Sequence, residues 1–110
     1  MLYIGFSIYS HKIHSQMFCH KYKHCAPVVI KGNQAIIYQF VHVNKIKEII
    51  INKKDLNILK QHGWKFIKYH DQIQFVNKIR CLTCVQFTKQ VCGIKNIKIQ
   101  TPDALLRYIK

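Results

Sequence analysis

Apolar positions recur along this chain with two periods, and the switches between them mark out the elements. Leu2 to Tyr9 is dense in β-branched and aromatic residues, the composition of a strand, with Gly5 as a bulge or a point of close approach. Ser10 to Lys23 loses that pattern and reads as irregular chain or a short helix. His24 to Ile30 resumes as a strand, and Pro27 within it points to an edge or a bulge. Lys31-Gly32-Asn33 is a turn signal, after which Gln34 to Val43 returns as a third strand, so the pair is expected to form a β-hairpin. Lys45 to Ile51 reads as a further strand.

Helical spacing takes over at Asn52. Asn52 with Asp55 has the form of a capping box with Asp in place of the usual Glu or Gln; Leu56 and Leu59 supply the buried side, and Gly63 supplies the stop. Trp64 to Tyr69 has strand composition, and Asp71 to Lys78 mixes loop and strand signals. The most informative stretch follows. Thr83 can cap a helix through its hydroxyl, Gly93 can close it in the left-handed conformation, and Cys84, Phe87 and Val91 lie between them at helical spacing, with Val85 and Cys92 widening the stripe. Lys95 to Gln100 alternates as a strand or extended connection. Thr101-Pro102-Asp103 then combines cap, first-position proline and first-turn acid, so Pro102 to Ile109 is expected to be helical. No repeat, linker or low-complexity segment divides the chain, which reads as one α+β domain over residues 1–110.

Composition changes this picture mainly through charge. The 110 residues are 49% hydrophobic, enough for one core and against disorder. Eighteen Lys and Arg against four Asp and Glu give a formal charge of +14. Such a field draws in anionic partners such as nucleic acid, anionic lipid or acidic glycan without specifying chemistry. Lys, Ile and Asn are also what an AT-rich genome encodes, which accounts for part of the excess. Five cysteines, an odd number, argue against a fully paired extracellular framework. With no leader and no apolar run of membrane-spanning length in the sequence, the expected setting is the reducing cytoplasm with free thiols.

The candidate chemistry centres on Cys84. In the first turn of its helix it meets unpaired amides and the positive end of the helix dipole, which favour the nucleophilic thiolate. A cysteine on an apolar helix face is ordinarily a small buried hydrophobe, so a catalytic role requires a base. His24 is the candidate. If the hairpin turn is centred near Gly32, His24 falls opposite Gln39 or close to it, and a Gln side chain there can fix the imidazole tautomer.

A histidine on an early strand, a polar residue on the next and a cysteine opening a later helix resemble the circularly permuted NlpC-type branch of the papain-like cysteine hydrolases, in which the cysteine comes last. The resemblance is carried by Tyr-Lys-His-Cys-Ala-Pro-Val-Val-Ile over residues 22–30, by Gln39 within Ile-Ile-Tyr-Gln-Phe, by Thr-Cys-Val-Gln-Phe-Thr-Lys-Gln-Val-Cys-Gly-Ile over 83–94, and by the terminal stretch 100–109, similar to short bacterial and phage-encoded members. It implies a small antiparallel sheet packed against the cysteine-bearing helix, with Cys84 as nucleophile, His24 as base and Gln39 where the family carries Glu or another polar orienter. Lys23 and Cys25 depart from the family's usual residues, and Gln39 brings no charge to an imidazolium. The implied activity is peptidase, amidase or acyl hydrolase or acyltransferase chemistry through a thioester, on an amide- or ester-containing substrate. The charge suits an anionic one such as a cell-wall peptide, a lipid or a protein. No cofactor or metal is implied.

Three other readings stay open at this level. Cys81-x-x-Cys84 has zinc-knuckle spacing, and His20, His24 and Cys25 can complete a tetrahedral site in a basic nucleic-acid-binding module. The same pair at a helix start also fits a redox role, although the thioredoxin-like βαβ context is missing. The third is a catalytically inactive family member acting as a binding protein. His11, His14, His62 and His70 read as surface residues, and Cys92 and Trp64 as core.

Overall fold

In the computed structural model the described residues are 2–8, 22–42, 45–69, 83–94 and 98–109. They form an α+β fold of five strands and three α-helices: β1 (Leu2–Ser7), β2 (His24–Lys31), β3 (Gln34–His42), β4 (Lys45–Asn52), a 3-10 turn (Lys53–Asp55), α1 (Leu56–Gln61), β5 (Trp64–Lys68), α2 (Cys84–Cys92) and α3 (Pro102–Ile109). The strands make one antiparallel sheet in the order β4-β3-β2-β1-β5.

Period-two alternation gives the sheet two unequal faces. Leu2, Ile4 and Phe6 of β1, Cys25 and Val29 of β2 and Phe40 of β3 point to one side. There they meet Cys84, Val85, Phe87 and Val91 of α2 and Leu105 and Leu106 of α3. Burying an aliphatic or aromatic side chain of this kind contributes about 1.5–3 kcal/mol, so this cluster is the main source of stability. The other side is thinner: Ala26, Val28, Ala35 and Ile37 are covered by Leu56 and Leu59 of α1 and by Phe66.

The strand and helix expectations hold for every described element, with four local corrections. Pro27 does not mark an edge or a bulge: β2 is the middle strand of the five and pairs with β1 in unbroken register through Pro27, while its ladder to β3 stops one residue later, at Val28. The capping box at Asn52 does not form, because neither Asn52 nor Asp55 makes a side-chain cap bond. Instead the Lys53 amide donates to the Asn33 carbonyl at 2.7 Å, which ties this corner to the hairpin turn and lets a 3-10 turn precede α1. Lys98 to Gln100 is turn and irregular chain rather than strand, because Ile99 is buried and its carbonyl accepts from the buried Lys89 Nζ at 2.9 Å. The hairpin register pairs Val28 with Ile37 and Lys31 with Gln34 and ends at Val28. Continued, it would set Gln39 opposite Ala26, two residues from the expected partner His24.

Gly5 is the close-approach point. A Cβ there would lie 2.9 Å from both Phe66 Cε1 and Trp64 Cζ3. The bare backbone lets these two rings, stacked at 5.7 Å and 10°, lie across β1. No helix among the described residues is long and apolar enough to cross a membrane.

Candidate active site

Helix α2 begins as its sequence dictates. Thr83, in extended conformation, accepts from the Gln86 amide at 3.1 Å through Oγ1, and Gly93 closes the helix at φ 72°. Cys84 is the first helical residue, and the apolar stripe behind it is anchored in the larger core.

The segment leading into β2 is fixed from three directions. Tyr22 packs edge-on against Phe6 at 5.8 Å, its amide donates to the Asp103 carboxylate of α3 at 3.2 Å, and the Lys23 amide donates to the Ser7 carbonyl at 2.8 Å. These ties place His24 at the mouth of β2. Its ring stands edge-on to Trp64 at 6.1 Å and 86°, so the aromatic pair resting on Gly5 also sets one side of the imidazole.

Cys84, His24 and Cys25 converge where β2 is not laddered to β3. The Cys84 thiol is held well below the usual thiol range. The largest cause is a hydrogen bond from the Cys25 thiol, opposed by burial and reinforced by the His24 side chain and the Cys25 backbone amide. That amide is available because the β2–β3 register stops at Val28. Cys25 moves the other way: burial pushes its thiol up, and the neighbouring Cys84 sulphur adds to the effect. The two thiols are thus shifted apart, Cys84 down and Cys25 up, with the His24 side chain and the Cys25 amide acting on the Cys84 side. The Thr88 hydroxyl braces the pair, donating to the Cys84 carbonyl at 2.8 Å while lying 3.5 Å from Cys25 Sγ.

Cys84 and His24 are therefore brought together, and Gln39 makes no hydrogen bond to the buried Nε2 of His24. Gln39 is registered with Lys47 of β4. Nε2 of His24 is buried and has no hydrogen-bond partner among the described residues. No described side chain fixes the tautomer from that nitrogen; the tight lead-in and Trp64 orient the ring.

Cys25 is the residue of this cluster that sequence reasoning undervalued, placing it only as a zinc ligand and as a departure from the family pattern. The signal was present in the alternation, which puts Cys25 with Val29 on the face of β2 that meets α2 and Cys84. Cys81 and His20 of the zinc reading lie outside the described residues, as do His11, His14 and His70. Among the described residues no three His, Cys, Asp or Glu side chains are arranged to hold a metal ion. Compared with protein-family models, curated proteins and solved structures, the chain finds no match.

Proposed function

We propose that this protein is a cysteine-dependent hydrolase or acyltransferase with a permuted papain-like arrangement. The observation that carries the reading is the placement of the Cys84 sulphur at the start of α2, with the His24 ring and the Cys25 amide and thiol directed at it. The element order supports it, with the histidine on β2, the first strand of the hairpin, and the cysteine at the start of the later α2.

In this reading Cys84 thiolate attacks the carbonyl carbon of an amide or ester. The Thr83 cap occupies the Gln86 amide, so the amide of Cys84 itself is left to face the developing oxyanion. His24, having taken the Cys84 proton, passes it to the leaving amine or alcohol, and a thioester forms on Cys84. His24 then takes a proton from water or another acceptor, which attacks the thioester and returns the free thiolate. Cys25 does not react; its S–H and N–H lower the energy of the thiolate between turnovers. The charge of +14 favours an anionic acyl donor.

The test is intact-protein and peptide mass spectrometry after incubation with p-nitrophenyl acetate. An acetyl group on Cys84, formed with a burst of nitrophenolate and lost on standing in water, supports the reading. Acetylation spread over lysines, with Cys84 unmodified, refutes it.

A further inference from the structure

The thinner face of the sheet carries a groove of about 710 Å³ at the end remote from Cys84. Its floor is a diagonal row across three strands, Ile30 of β2, Tyr3 of β1 and Phe66 of β5, all half-buried. Its rim is formed by Lys53 and Lys54 of the 3-10 turn and Lys60 of α1, all exposed. Asn33, Asn52 and Asn57 add side-chain amides to the walls. The Lys53 amide to Asn33 carbonyl bond at 2.7 Å locks the rim to the hairpin turn.

We propose that this groove is a binding site for a short run of single-stranded nucleic acid. Three features select that class of partner. The volume lies in the range of small-ligand sites, about 300–1,000 Å³, large enough for a base and its sugar. An aromatic floor under a cationic rim is the arrangement in which bases stack while lysines follow the phosphates. Amide side chains both donate and accept, and so pair with base edges exposed only when a strand is unpaired.

Charge complementarity commits the site to a polyanion. Asp55 is the sole acid in the stretch 49–63. Among the described residues, Glu48 is registered with Tyr38 on the face that carries α2, and Asp103 is bonded to the Tyr22 amide. The net +14 adds a long-range field that speeds encounter. A lipid surface fits less well. The groove is walled by amides and lysines, and α1, six residues long, presents only Ile58 as an exposed large apolar residue. The site is separate from the catalytic centre, since Cys84 lies on the opposite face and His24 at the opposite end of β2.

The experiment is fluorescence anisotropy of a labelled octathymidylate, titrated with the whole chain at several salt concentrations. The variant Lys53→Gln/Lys54→Gln/Lys60→Gln should weaken binding about tenfold or more and lower the salt slope by about 2, three phosphate contacts at about 0.7 each. Lys45→Gln/Lys47→Gln/Arg107→Gln removes the same charge from exposed positions elsewhere and should cost less than about threefold. Phe66→Leu should weaken binding about fivefold with an unchanged salt slope, which isolates stacking. Cys84→Ala should bind like the parent, so a failed hydrolase assay and a failed binding assay remain distinct results. The proposal is overturned if the two triple variants lose affinity equally. Duplex binding as tight as the single strand overturns it too, as does a groove that loses affinity for phosphatidylglycerol vesicles on the triple change while octathymidylate binding is unaffected.

Discussion

The two ends of α2 each carry a buried cysteine, and the two behave oppositely. Cys84 in the first turn is 9% exposed and Cys92 in the last is 4% exposed, so burial alone hardly separates them. Burial pushes the Cys92 thiol up to about 12, from an ordinary value of 9.0, with no opposing partner among the described residues. Burial acts in the same direction on Cys84, but the Cys25 thiol, His24 and the Cys25 amide outweigh it and carry the thiol below 9.0. One helix thus holds a thiol pushed up and a thiol held down. The difference lies in what the neighbouring strand supplies, and β2 supplies it only at the end where it parts from β3.

The largest effect expected from this contrast is in acyl transfer. Cys84→Ala abolishes it, a loss on the order of a thousandfold or more, whereas Cys92→Ala retains it; nitrophenolate release under identical conditions checks both. If the two variants were equally impaired, the ends of the helix would not differ in function. Next in size is His24→Ala. It slows iodoacetamide alkylation of Cys84 at neutral pH about tenfold and leaves Cys92 unchanged, read residue by residue by mass spectrometry. Cys25→Ala sharpens the comparison from the strand side. It removes the main donor to the Cys84 sulphur, so the pH at which Cys84 becomes reactive rises, and the cavity costs about 1–2 kcal/mol in urea melts. Smallest is Thr83→Ala, which loses the Gln86 cap and about 1 kcal/mol of stability, with the first turn fraying around Cys84 rather than Cys92.

The pair also imprints opposite signs on stability against pH. Cys84 has a folded-state value below its unfolded one, so its contribution is fully present above about pH 9 and is lost as pH falls through the folded value. Cys92 has a folded value near 12 against 9.0 unfolded, so its contribution is present below about pH 9 and is lost as pH rises toward 12. Urea melts across pH 6 to 11 should therefore show Cys84→Ala removing part of a rise with pH and Cys92→Val removing part of an alkaline fall.

Much of this was legible before any coordinates. The strands Leu2–Ser7 and His24–Lys31, the hairpin turn, and the helices at Cys84 and Pro102 follow from alternation, caps and glycines acting within a few residues of each other. Packing of an apolar helix face on a strand made only Cys25 legible as a neighbour of Cys84; His24 was singled out by the need of a thiolate for a base. What escaped depended on distant parts. The capping box at Asn52 was displaced by the Lys53 amide bonding to Asn33 in the hairpin turn, nineteen to twenty positions earlier in the chain. Gln39 was misplaced because the register is set by the turn and then broken beyond Val28, and local pattern cannot show where a ladder stops. Cys25 was undervalued in part because alternation shows only that its thiol faces α2, whereas the reach of its amide to the same sulphur depends on where the β2–β3 ladder stops.

The central claim is that the strand, and not the helix alone, activates Cys84. Its most direct test is the rate of iodoacetamide alkylation of Cys84 and Cys92 from pH 5 to 10 in the parent and in His24→Ala. The account predicts a Cys84 rate that reaches its plateau well below pH 9, a shift of that profile to higher pH without His24, and a Cys92 rate still climbing at the top of the range. Superimposable Cys84 profiles in the two proteins, or a Cys84 that titrates with Cys92 above pH 9, would contradict it.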